Sequence, residues 1–162
     1  MLMEIFYTGL ILIRRSCVIL ALLLGLVFSH PRLAIAANLT GDLLKMPATE
    51  ITVSLGNSAN ELKFEPNHLD FVAGKRYQLK LTNPSQMKHY FTAKDFADVI
   101  WTQKVEAGKV EIKGAIHELE LKPGAVAEWV FVPMKPGKYS LRCSIPGHTE
   151  AGMTGEIIIA GK

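Results

Sequence analysis

Cysteine is scarce in this chain, occurring only at positions 17 and 143. Long hydrophobic runs are missing too: the apolar stretch 17–28 is twelve residues, short of the ~20 a membrane-crossing helix needs. That stretch follows Arg14 and Arg15 and precedes Pro31 and the small-residue pattern Ala34-Ile35-Ala36. A positive segment, a short apolar core and an A-x-A site together describe a secretory signal peptide over residues 1–36. Residues 5–13 are themselves largely apolar, so an uncleaved N-terminal anchor is the alternative reading. Cleavage would leave residues 37–162, enough for one domain with a real core.

An excess of charge of one sign is also lacking. The chain has 18 Lys and Arg against 15 Asp and Glu; without Arg14, Arg15, Arg32 and Glu4 the balance is 15 to 14. Such balance argues against nucleic acid or an anionic membrane surface as the main partner. Membrane association is expected only if the N-terminal segment is retained. Cys17 falls in the apolar core of the signal and is given no role. Cys143 is then a lone thiol in a chain addressed to an oxidising compartment, the periplasm or a thylakoid lumen. No internal disulfide can form, so this thiol is either reactive or held by something such as a metal.

What is present reads as strands. Residues 51–55 and 77–81 alternate apolar with polar, and each run stops at a turn signal, Gly56-Asn57 and Asn83-Pro84. Runs at 62–64, 69–71, 116–121, 126–132, 139–143 and 155–160 are likewise bounded by Pro, Gly or Asn. Seven or eight short strands with regular turns predict an all-β sandwich or barrel. Residues 38–48 read as a loose lead-in strand. One segment departs from the pattern: Thr92 resembles a helix N-cap with Asp95 three residues on. Phe96, Val99 and Ile100 then recur at helical spacing. A short helical or irregular insert is expected over about 93–104, with Trp101 as a packing residue.

The chemistry concentrates after the penultimate strand, in Cys143-Ser-Ile-Pro-Gly-His148-Thr-Glu-Ala-Gly-Met153. A thiolate, an imidazole and a thioether spaced Cys-x4-His-x4-Met are three of the four ligands of a His2Cys copper site with a weak axial Met. A second histidine is needed. His89 is the candidate, because it follows the turn after the 77–81 strand and begins a new one at the end of a sandwich. His68 and His117 are expected to be surface or structurally satisfied histidines. Taken singly, Cys143 could be an inert buried thiol, His148 a turn residue and Met153 plain core. Their joint spacing favours a site.

These residues carry a resemblance to the cupredoxins, or small blue copper proteins, that covers about residues 51–162. The loop pattern is similar to the rusticyanin and auracyanin type. Supporting motifs are Phe71-Val72-Ala73-Gly74-Lys75 before a strand, Asn83 at that strand's end, Pro136-Gly137-Lys138-Tyr139 leading to Cys143, and Gly152-Met153-Thr154-Gly155. The resemblance implies an eight-stranded Greek-key sandwich holding one copper ion, with His89, Cys143, His148 and Met153 as its ligands. Tyr90 is the departure: the family often has Asn or a small polar residue after the first histidine, where it ties the ligand loops together.

The expected function is that of a secreted, monomeric, non-enzymatic type 1 copper protein carrying single electrons between redox partner proteins. His148 would be its surface exit, near Ile145, Pro146 and Met87. A periplasmic copper carrier or store is the alternative; a store would be expected to show clustered Met or His, and Met46, Met87, Met134 and Met153 are dispersed. A thiol enzyme lacks an evident orienting group, and a thioether is a poor zinc ligand.

Overall fold

The computed structural model describes residues 44–162. The expected signal peptide, and residues 38–43 of the expected lead-in strand, lie outside them. Residues 44–48 form a turn and bend rather than a strand.

Alternation of apolar residues at every second position builds two facing sheets. One sheet contains β1 (Thr49–Leu55), β2 (Phe64–Glu65), β4 (Tyr77–Thr82), β6 (Ile100–Ala107), β7 (Val110–Ile112) and β9 (Val126–Pro133), in the order β2-β1-β4-β9-β6-β7. The other contains β3 (His68–Val72), β5 (His89–Thr92), β8 (Glu118–Leu121), β10 (Gly137–Arg142) and β11 (Thr154–Ala160), in the order β3-β11-β10-β5-β8. Pairing is antiparallel except between β1 and β4 and between β3 and β11. This is the expected all-β, cupredoxin-like sandwich.

Buried residues at i, i+2 mark the inner faces: Tyr77, Leu79 and Leu81 of β4, Ala127, Trp129 and Phe131 of β9, and Ile157 and Ile159 of β11. Aromatic rings fill the centre. Phe96 stacks on Phe71 at 5.6 Å and meets Phe131 edge-on at 5.4 Å, with Trp129 and Tyr139 also in ring contact.

The insert after β5 differs from expectation. Helix α1 spans only Lys94–Ala97, and its N-cap is Ala93, with no side-chain cap bond. Thr92 is not that cap, because its hydroxyl donates to Glu118 at 2.7 Å instead. From Ile100 the chain is strand, paired with β9 through a register irregularity between Thr102 and Lys104. A short helical turn ending where a ladder begins explains the misleading spacing: Phe96 is buried by the turn, whereas Ile100 belongs to β6. Trp101, expected to pack, is 40% exposed, opposite Val132.

Phe96 is fully buried among four other rings. Phe96→Ala should therefore cost about 3–5 kcal/mol, as for other buried aromatic deletions. Denaturant unfolding of the variant checks this, with an unchanged midpoint arguing against Phe96 as a core packing residue.

Candidate metal centre

Two chain segments meet at one end of the sandwich. The first is the loop 83–88 that ends in β5. Asn83 is buried; its amide donates to the carbonyls of Met87 and Leu121, both at 2.8 Å. Its Oδ1 accepts from the Ser85 backbone N–H at 3.0 Å and the Ser85 hydroxyl at 2.9 Å. The loop is thus fastened to the end of β8, and β5 begins with His89 opposite Leu121, facing inward. His89 is fully buried. Its Nε2 lies 2.9 Å from Ser85 Oγ, and its Nδ1 has no hydrogen-bond partner among the described residues.

The second segment is the loop joining β10 to β11, which closes on itself through its backbone. Cys143 N–H donates to the Met153 carbonyl at 3.1 Å, and Met153 N–H to the His148 carbonyl at 2.9 Å. The Thr149 hydroxyl donates to the Cys143 carbonyl at 2.8 Å. Gly152, at φ +98°, supplies the left-handed turn just before Met153. Cys143 and Met153 are fully buried, and His148 is half-buried.

Three of the four residues singled out by sequence form a group whose ligand atoms lie within 4.8 Å of one another: His89, Cys143 and His148. Cys143 Sγ and His148 Nδ1 are 3.4 Å apart, and the two imidazole centroids are 5.3 Å apart. Met153 is bonded through its backbone to both Cys143 and His148. Burial first, and the neighbouring His148 second, hold the His89 ring below its ordinary imidazole pKa. The ring is therefore neutral at neutral pH, the form that binds metals.

The donor set fits copper. A buried polar atom without a partner costs about 1–3 kcal/mol, and His89 Nδ1 is such an atom, in a ring that faces a soft thiol and a second imidazole. Thiolate and imidazole together suit copper in both oxidation states.

The other candidate histidines stand apart, as expected. His68 is about half exposed, with carboxylates of Asp70 and Glu156 at 3.4 and 3.6 Å. His117 pairs with Asp98 at 2.6 Å. Tyr90 presents its backbone N–H to Cys143 Sγ at 3.4 Å, while its phenol donates to Glu120, with Lys88 beside it. The Glu118 carboxylate of β8 accepts from the Thr92 hydroxyl of β5 at 2.7 Å, and Ser144, the residue after Cys143, helps lower its pKa.

Sequence reading missed three supports: Ser85, Gly56 and Glu118. Gly56 has φ +75°, and a Cβ there would lie 3.0 Å from His89 Nε2. In the sequence it reads only as the turn that ends a strand.

The model of copper-binding proteins of the plastocyanin/azurin family matches residues 51–160. The chain belongs to that family. Among individual relatives, the copper-resistant cuproprotein CopI of Rubrivivax gelatinosus is 25% identical over 126 residues, covering 74% of this chain and 70% of CopI. Dithionite-reduced auracyanin of the photosynthetic bacterium Roseiflexus castenholzii superposes with a TM-score of 0.51 at 19% identity, covering 70% of this chain and 98% of auracyanin. A copper-containing nitrite reductase of Thermus scotoductus SA-01 gives 0.55 at 12% identity, over 73% of this chain and 32% of that longer protein. These structural likenesses establish the cupredoxin fold, and the family assignment makes copper the metal for the His89, Cys143 and His148 group.

Two outcomes test these supports. Gly56→Ala forces a left-handed backbone on an L side chain, costing roughly 1–2 kcal/mol, and presses on His89; stability should fall and copper uptake weaken together. Glu118 is held below the ordinary carboxylate range, first by the Thr92 hydroxyl and then by the Ser144 hydroxyl, with Lys94 and Arg142 adding to it against an opposing desolvation effect. A depressed carboxylate stabilises the fold above its unfolded pKa and loses that contribution as pH falls through the folded value. Wild type should therefore exceed Glu118→Gln by less than about 1 kcal/mol at neutral pH, given the exposure. That difference should vanish in acid, as read by unfolding at several pH values.

Proposed function

We propose that His89, Cys143, His148 and Met153 ligate one copper ion, and that the protein carries single electrons between partner proteins in an extracytoplasmic compartment. The observation that carries this reading is the assembled donor group, buried on the His89 and Cys143 side and half open at His148. A bound copper would supply a one-electron Cu(I)/Cu(II) couple.

The chain's own residues are suited to that task. The self-bonded loop 143–153 and the Asn83–Ser85 network fix the donors before a metal arrives, so little rearrangement accompanies a change of charge. Buried Cys143 and Met153 keep water from the thiolate. Tyr90 N–H stabilises negative charge on the sulfur. His148 is the most accessible of the donors, close in sequence to exposed Pro146, and offers an edge through which a redox partner protein could exchange an electron. The carrier reading includes the expectation that the chain catalyses no reaction of its own.

A second reading, copper handling in metal resistance, is favoured by one observation, the match to the cuproprotein CopI. It uses the same site. The two part over kinetics: a carrier has a reversible potential and fast electron exchange with a redox partner, whereas a handling protein is needed by cells only under copper stress.

The visible spectrum of the copper-loaded protein is the direct test. An intense thiolate-to-copper band should appear with one copper per chain and vanish in Cys143→Ser. A colourless, redox-silent complex would refute both the ligand assignment and the carrier role.

A further inference from the structure

We propose that Ser85 is a positioning residue whose hydroxyl fixes His89 as the Nε2–H tautomer and thereby reserves the Nδ1 lone pair for copper. The inference deepens the copper-site reading and rests on it for the identity of the metal.

A serine oxygen has one hydrogen to donate and two lone pairs to accept with. Four groups surround Ser85 Oγ: Asn83 Oδ1 at 2.9 Å, the Met87 carbonyl at 2.9 Å, Met87 N–H at 3.2 Å and His89 Nε2 at 2.9 Å. The first two can only accept and the third can only donate. His89 Nε2 could do either, and its role follows from counting hydrogens. If Nε2 carries the proton, Oγ accepts from His89 and from Met87 N–H and gives its own hydrogen to Asn83 Oδ1 or the Met87 carbonyl. Every lone pair and the one hydrogen are then used.

The reverse tautomer fails twice. An unprotonated Nε2 would need the serine hydrogen, leaving both Asn83 Oδ1 and the Met87 carbonyl, rather than only one of them, facing Oγ at 2.9 Å with no hydrogen between, and one serine lone pair unused. The proton would then sit on Nδ1, which is buried and has no acceptor among the described residues, at the cost of a buried unpaired donor. Gly56 closes off the other approach, since even a single added carbon there would lie 3.0 Å from Nε2. The Nε2 edge faces a glycine wall and a hydroxyl, so the free lone pair belongs to the opposite edge. Asn83 completes the device: its Oδ1 also takes the Ser85 backbone N–H at 3.0 Å, which orients the serine.

Nitrogen-15 NMR of the histidine side chains in the copper-free protein at neutral pH reads the tautomer directly. In wild type, His89 should show a protonated Nε2 and an unprotonated Nδ1; a protonated Nδ1 overturns the proposal without any variant. In Ser85→Ala the ring should become a mixture of tautomers, and copper(II) affinity should fall about 10–100-fold, the usual scale for loss of a ligand's outer hydrogen bond. Ser85→Thr keeps the hydroxyl and should restore both. A Ser85→Ala protein that keeps a pure Nε2–H ring shows that Ser85 only braces the loop, and the proposal falls. Because the tautomer is read without copper, wild type failing to bind copper would refute the function proposed above and leave the tautomer result standing.

Discussion

Strand β10 meets β5 at a single antiparallel pair, Arg142 opposite Thr92, and that register decides which way Cys143 points. Side chains alternate faces along a strand, so a slip of one residue would turn the thiol outward and Arg142 inward. Two stronger ladders hold the register. β10 is bound to β11 over six pairs, from Gly137 opposite Ile159 to Arg142 opposite Thr154. β5 is bound to β8 over four, from His89 opposite Leu121 to Thr92 opposite Glu118. Inward Leu141 and Phe91 lock the two strands into the core, both at or near zero exposure. The donor group is therefore a product of sheet register, and each strand brings its donor to the same end of the sandwich.

The polar cost of this arrangement is confined to one stretch of chain. The buried polar residues among those described are Asn83, Ser85, His89 and Thr92, all within ten residues of sequence. Burying such groups is unfavourable unless each finds a partner. Asn83 and Ser85 satisfy each other and the turn around them, and Thr92 bonds Glu118. His89 Nδ1 stays unsatisfied among the described residues. Local stability and metal readiness are thus opposed at that one atom, and the surrounding network keeps the ring in place before metal relieves it.

Local patterns made much of this legible in sequence. The strands of regular alternation, such as 51–55 and 77–81, announce themselves because one face is buried and the other wet. The Cys143–His148–Met153 loop is legible because its donors are neighbours in sequence. His89 needed its position after a turn, and the resemblance, to be joined to them. β6 was not legible: the irregularity between Thr102 and Lys104 breaks its alternation, and the single turn of α1 lends the preceding residues a helical period. Gly56, Ser85 and Glu118 were invisible for another reason. Their roles arise only when the β1–β2 turn, the loop before β5 and strand β8 close around His89 and Cys143. No one-dimensional pattern encodes that closure.

Tyr90 shows how a site can be insulated from a side chain beside it. The contact to the cysteine sulfur is made by the Tyr90 backbone N–H, a group every residue except proline carries. Alternation sends the side chain to the other face of β5, where the ring lies under Lys88 Nζ at 5.4 Å from its centre and the phenol bonds Glu120. The sulfur is thus insulated from the identity of residue 90, provided the backbone register holds. The Tyr90 side chain points away from the ligand loops and so does not tie them together. Glu118, on the neighbouring strand β8, accepts from the Thr92 hydroxyl. Residue 90 thus serves the sulfur with its backbone and the surface with its side chain.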